Sequence, residues 1–135
     1  MPEAIAALSP EVRRLAALPI LIVIGTRRRD DSIQLNPIWF ELDGDEFVVN
    51  SNTRRSWPEN LQRQMEATLL LVDPKESERY AQIRGKVIDV KMDPHLEVIN
   101  RIARRYTGKD FRALEPGEER ITFRIAPVKV SGQMI

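Results

Sequence analysis

Apolar positions change period repeatedly along this chain, and each change marks an element. Ser9-Pro10-Glu11 has the order of a helix start, and Val12, Leu15 and Leu18 follow at roughly helical spacing until Pro19 forbids continuation. Ile20 to Ile24 is a short apolar run rich in β-branched residues that stops at Gly25, which predicts a buried strand. The polar stretch Arg27 to Asp31 then forms a hairpin tip, and Ile33 to Leu42 returns as a second strand. Asp43-Gly44 ahead of Phe47-Val48-Val49 is a tight-turn signal, because both turn residues tolerate positive φ. These strands form a meander.

A helix is expected from about residue 57. Ser56 is a favoured N-cap type, Pro58 suits a first helical position, and Leu61 and Met65 begin an apolar stripe at i, i+4. Ala67 to Val72 makes a fourth strand closed by Asp73-Pro74, and a fifth begins at Tyr80. There Ala81, Ile83, Gly85 and Val87 alternate with polar residues, after which the apolar set shifts phase to Ile88, Val90 and Met92, as a bulge requires. Asp93-Pro94 opens a helix with Leu96, Ile99, Ala103 and Tyr106 on one stripe and Gly108 as its stop. After a Pro116-Gly117 loop, Ile121, Phe123 and Ile125 alternate as a sixth strand ending at Pro127. Six strands, mostly joined by hairpins, with two or three helices, argue a mainly β fold: a small antiparallel barrel with helices packed on it. A parallel doubly wound fold is disfavoured, since the first three strands lack intervening helices.

Length and charge narrow the classes. The 135 residues suit one domain, taken as 1–135, and 21 basic against 20 acidic residues leave a net charge of +1. That balance creates no field for nucleic acid or an anionic membrane, and few aromatics are interleaved with the arginine doublets, so neither partner is expected. There is no cysteine and His95 is the one histidine, which removes thiolate chemistry, almost excludes a Ser-His-Asp triad and leaves no metal constellation. His95 follows a helix-start sequence and is assigned no role. No apolar run approaches the ~20 residues that cross a bilayer, and no signal-peptide order opens the chain, so a cytoplasmic location is expected.

One junction carries candidate chemistry. From Asn50 to Asn60 a strand passes through Arg54 and Arg55 into a helix, so the Ser51 hydroxyl, two guanidiniums and unpaired first-turn N–H groups are close in sequence. Two readings stand: a phosphate cradle, or a capped helix with solvated arginines.

The motifs also have an order. Gln34-Leu35-Asn36-Pro37-Ile38-Trp39-Phe40, Asp43-Gly44-Asp45, Asn50-Ser51, Arg54-Arg55, Asn60-Leu61, Val72-Asp73-Pro74, Tyr80 to Gly85 and Ala103 to Lys109 follow one another over about residues 9 to 130. This set resembles the pyridoxamine 5′-phosphate oxidase-like split-barrel superfamily, and within it the deazaflavin-dependent oxidoreductase branch. The resemblance implies a homodimer of six-stranded split barrels with FMN or the 8-hydroxy-5-deazaflavin coenzyme (factor 420) in a groove between protomers. It implies that Asn36, Pro37, Ile38 and Trp39 lie along the ring system. It also implies that Asn50, Ser51, Arg54, Arg55, Ser56, Trp57 and Asn60 hold the phosphate and ribityl tail, and that Tyr80 approaches from the partner. Trp57 departs from the lysine common in this branch, and either stacks on a ring or fills the groove. Of Trp39 and Phe40, on opposite strand faces, one enters the core and the other faces the groove. The function implied is hydride transfer to a small planar substrate; a non-catalytic carrier or sensor on the same barrel is the alternative. No catalytic residue is assigned, which suits chemistry supplied by a cofactor.

Overall fold

Period-two patterning dominates this chain, and the folded molecule is mainly strand. The computed structural model describes residues 4–133. Its elements are α1 (Pro10–Ala16), β1 (Ile22–Arg27), β2 (Ile33–Ile38), β3 (Glu41–Asp43), β4 (Glu46–Asn52), α2 (Ser56–Gln64), β5 (Glu66–Val72), β6 (Tyr80–Met92), α3 (Glu97–Thr107) and β7 (Arg120–Gln133). All pairings are antiparallel, in one sheet of order β2-β1-β5-β6-β7-β4-β3.

The two edges of this sheet are consecutive in sequence. β2 pairs with β1 and β3 pairs with β4, with only Trp39 and Phe40 between them. The expected strand Ile33–Leu42 is thus one segment that leaves one edge and arrives at the other, which raises the strand count from six to seven. The sheet curls without closing its ladder at this seam, as a split barrel. Tyr106 covers the break: its hydroxyl donates to Ile20 O at 2.6 Å and accepts from Phe40 N at 3.2 Å, and its ring stacks on Trp39 with centroids 5.1 Å apart. Phe40 is fully buried in the core, while Trp39 on the opposite face is half-buried.

Alternation fills the interior. Ile22 and Ile24, Phe47 and Val49, Leu69 and Leu71, Phe123 and Ile125 meet Val12 and Leu15 of α1 and Trp57 and Leu61 of α2 in one apolar cluster. The phase shift expected in β6 is present as register shifts at Arg84/Gly85 and Val87/Asp89. A Cβ on Gly85 would stand 2.4 Å from Ile125 Cγ2 and 3.1 Å from Ala126 O, so bare backbone lets the strands approach there.

Some boundaries differ from expectation. Pro127 does not end the last strand; it pairs opposite Gly85 at the irregularity, where a missing N–H interrupts the ladder least, and its carbonyl accepts from Ala6 N at 2.8 Å. Ser56 is not the N-cap of α2: that position is Arg55, and the Ser56 hydroxyl accepts from Gln34 Nε2 at 2.8 Å. Met65 is not on the apolar stripe but is the left-handed C-cap at φ 57°, exposed. Asp93 lies ahead of α3 and caps it at a distance, its carboxylate accepting from Val98 N at 3.2 Å and Ile99 N at 2.9 Å. Gly108 ends α3 at φ 76°, as its position predicts. Among the described residues no helix is long and apolar enough to cross a membrane.

Candidate functional site

At the C-terminal end of β4 the alternation sends successive side chains to opposite sides. Phe47 and Val49 belong to the core, and Ser51 shares their face; Asn50 and Asn52 instead border a cavity of about 290 Å³. Pro37, Ile38 and Trp39 of the seam form one wall, and Ile99 and Ile102 of α3 with Phe111 of the following loop form another. The polar part is Asn50, Asn52, Arg55, Arg112 and Arg120.

A buried carboxylate organises that polar part. Glu118 accepts from Arg112 Nη1 at 2.7 Å and Arg112 Nη2 at 2.9 Å, from Arg120 Nη1 at 3.2 Å, and from Glu115 N at 3.0 Å. Arg112 above all, then the Glu115 N–H and Arg120, hold the Glu118 carboxyl down to about 2 against the opposing effect of burial. Arg120 Nε donates to Asn50 Oδ1 at 3.0 Å, and Asn50 Nδ2 donates to Thr122 Oγ1 at 2.9 Å and Asp93 Oδ2 at 3.2 Å. Burial, aided by the like charges of Arg112 and Arg55, pulls the Arg120 guanidinium below its ordinary value, and Glu118 opposes that shift. Two guanidinium carbons lie over the Phe111 ring, that of Arg112 at 4.8 Å and that of Arg120 at 4.6 Å from its centroid.

The cavity gathers Pro37, Ile38, Trp39, Asn50, Arg55 and Trp57 from the residues the sequence singled out. The others lie elsewhere. Asn36 is on the opposite face of β2 from Pro37, with a buried Oδ1 that has no partner among the described residues. Ser51 is buried on the core side. Arg54 turns to the loop before β7, its Nη2 donating to Pro116 O at 3.2 Å. Ser56 and Asn60 tie α2 to the sheet through Gln34, and Asn60 Nδ2 also donates to Thr26 Oγ1 at 3.2 Å. Tyr80 pairs with Gln133 at the end of β7 remote from Arg120, roughly 40 Å of strand away at about 3.3 Å per residue.

Trp57 is only 1% exposed, sits 6.3 Å from Phe123 between ring centroids, belongs to the core cluster and also borders the cavity. The expected cradle of Ser51, Arg54 and the α2 N-terminus is not assembled, and of that set Arg55 alone brings charge to the cavity. Asn52, Arg112, Glu118 and Arg120 were not singled out. Arg120 had a signal, since Arg120, Thr122 and Arg124 are the polar half of the alternation that identified the last strand; Arg112 and Glu118, in a loop, had none. Among the described residues no group of three or more His, Cys, Asp or Glu is arranged to hold a metal.

Comparison with known proteins adds to this geometry. The sequence model of the pyridoxamine 5′-phosphate oxidase family matches residues 8–134. No curated protein matches the chain. Among solved structures, an F420 reductase superposes with a TM-score of 0.80 at 24% identity, over 98% of this chain and 100% of that one. A protein from Listeria innocua described as a pyridoxamine 5′-phosphate oxidase has a TM-score of 0.67 at 14% identity, over 90% and 94% of the two chains. HutZ, the heme storage protein from Vibrio cholerae, has a TM-score of 0.65 at 12% identity, over 94% and 95%. At these identities the structural likenesses establish a shared fold.

Proposed function

The chain belongs to the pyridoxamine 5′-phosphate oxidase family, and from that premise we propose that it is a cytoplasmic, single-domain, homodimeric oxidoreductase. It binds FMN or the deazaflavin coenzyme in the cavity beside the seam and transfers hydride to a small planar substrate. The observation that carries the proposal is the cavity's division into an apolar wall, Pro37 to Trp39, and a cationic floor, Arg55, Arg112 and Arg120. That donor set suits a ligand with a flat ring and an anionic tail, and the F420 reductase with which the chain shares its fold is named for a cofactor of this kind.

When bound, the flavin or deazaflavin would supply the hydride chemistry. The chain's own residues do the rest. Trp39, held flat by Tyr106, and Ile38 orient the ring and exclude water, while the guanidiniums hold the tail. No residue is needed to move a proton at the floor: Arg112 is raised above its ordinary value, chiefly by its hydrogen bonds to Glu118, and stays a cation.

One observation supports a dimer. On the outer sheet face, Ile33 and Leu35 are 59% and 65% exposed and border a groove of about 420 Å³ with Val23 and Leu70, an apolar surface suited to a second copy. Tyr80, remote from its own cavity, could serve a partner's.

Absorbance titration with FMN and with factor 420 tests the proposal, combined with light scattering. One cofactor should bind stoichiometrically to a species of twice the chain mass, and the reduced form should be oxidised by small planar acceptors. Binding without turnover would favour the carrier reading, which HutZ, a storage protein of the same fold, makes a real competitor. No binding of either cofactor would remove both.

A further inference from the structure

Taking the cavity's occupant from the flavin-type reading, we propose that residues 109–116 form a strap that swings off the cavity to admit and release that occupant. Gly108 and Gly117 are its hinges, and Asn100, Glu118 and Arg54 are its latches.

The strap is built unlike the other walls. Pro37 and Ile38 belong to β2, Asn50 and Asn52 to β4, Ile99 and Ile102 to α3 and Arg120 to β7, so a ladder or a helix fixes each of them. Trp39 is clamped by the ring of Tyr106. Phe111 and Arg112 border the same cavity from a segment that is neither strand nor helix, in which only Phe111 and Leu114 are half-buried and the rest is exposed. A segment that covers so little apolar surface is held by individual contacts, the condition under which it opens apart from the rest of the fold.

Its ends have the freedom that hinges need. Gly108 and Gly117 stand at φ 76° and 77°, in the left-handed region that favours glycine, one at each end of the segment. A hinge at Gly117 leaves Glu118 behind with β7, joined to Arg120 Nη1 at 3.2 Å, so the closing contacts come from three sides. From α3, Asn100 Oδ1 accepts from Phe111 N at 2.9 Å. From β7, Glu118 accepts the Arg112 fork and the Glu115 N–H. From the turn before α2, Arg54 Nη2 donates to Pro116 O at 3.2 Å. The Arg104–Asp110 pair adds little, being exposed on both sides. Opening takes Phe111 away from the Arg120 guanidinium and removes the wall that it shares with Ile99 and Ile102. The latches are made alike with the cavity empty or filled, so they set how fast a ligand passes and not how tightly it is held.

Stopped-flow fluorescence of the full chain with FMN reads that passage. Asn100 does not border the cavity, and Asn100→Ala removes the Phe111 latch while leaving a strong helix former in α3. The variant should raise the association and the release rate of FMN alike, about threefold to tenfold, with Kd changed less than about twofold. Arg54→Ala, which breaks an exposed latch, should raise both about twofold. Rates unmoved by Asn100→Ala, or a release rate that rises alone and weakens Kd with it, overturn the proposal. Hydrogen exchange separates the strap from the flavin reading. In the unliganded wild type the Phe111 and Glu115 amides should exchange through an opening that dilute urea does not promote, at least about 100-fold faster than the core amides of β4 and β7. If neither FMN nor factor 420 binds, the flavin reading fails and exchange alone decides the strap. Strap amides that share the rate and the urea dependence of β4 and β7 belong to a fixed wall and overturn the proposal.

Discussion

The head of α2 and the floor of the cavity are both rich in residues able to hold an anion, but they are assembled in opposite ways. At the head of α2, Ser51, Arg54, Arg55 and Ser56 are close in sequence, yet strand alternation and the turn disperse them. Ser51 faces the core, Arg54 braces Pro116, Ser56 bonds Gln34, and Arg55 alone lines the cavity. At the floor, Asn50 and Arg120 are 70 residues apart and share a 3.0 Å hydrogen bond, with Glu118 joining Arg120 to Arg112. Sequence adjacency on a strand scatters chemistry to two faces, whereas pairing between strands concentrates it.

The comparison breaks most dramatically at Trp57. Were the head of α2 an anion site, Trp57→Lys would add a useful cation; because the indole is packed against Phe123 in the core, the substitution should instead cost about 3–5 kcal/mol. Urea unfolding measures this, and a stable variant with tighter FMN binding would return the site to the head of α2.

Glu118→Ala comes next, at roughly 3 kcal/mol, since it leaves the buried Arg120 without its carboxylate. The same group gives a pH signature. Its carboxyl is held down to about 2, chiefly by Arg112, so its contribution is fully present above the ordinary value of 4.5 and is lost as pH falls towards 2. Unfolding midpoints recorded from pH 6 to pH 2.5 should fall more steeply for wild type than for Glu118→Ala; parallel curves would mean that Glu118 is not the floor's organiser.

Arg54→Ala should have the smallest effect, within about 0.5 kcal/mol, because it removes one exposed hydrogen bond to Pro116 O. Flavin affinity should hardly change. A loss comparable to that of Glu118→Ala would erase the distinction between the two regions.

Legibility in the sequence follows the same division. The β1-β2 and β3-β4 hairpins, the phase shift in β6 and the Gly108 stop are written in local period and turn chemistry, and the structure has each of them, whereas the expected three-strand meander is split into those two hairpins at opposite edges of the sheet. The break at Trp39-Phe40 is not so written, because both residues favour strands and their separation depends on the edges they must reach. Nor is the passage of β7 through Pro127, which an irregularity on the neighbouring strand permits. Pro37, Ile38 and Trp39 stand out through motif order and Arg55 also through the strand-to-helix junction, and all four border the cavity. Arg112 and Glu118 do not stand out, because a loop ion pair has no period and its partner lies on another strand.

The placement of β7 has a kinetic consequence. It is the bridge between the partial sheet β2-β1-β5-β6 and the small ribbon β4-β3, and its pairing with β4 joins Phe47 to Ile125 and Asn52 to Arg120. Contacts so distant along the chain form late, because the entropy of closing the intervening loop is spent before the pairing returns anything. Hairpins can collapse early, but the floor of the cavity needs β4 and β7 side by side. Arg120 meets Asn50 only once β4 and β7 are paired, so the capacity to grip an anion arrives with that pairing, and a ligand that binds there selects against every intermediate in which β7 is still adrift.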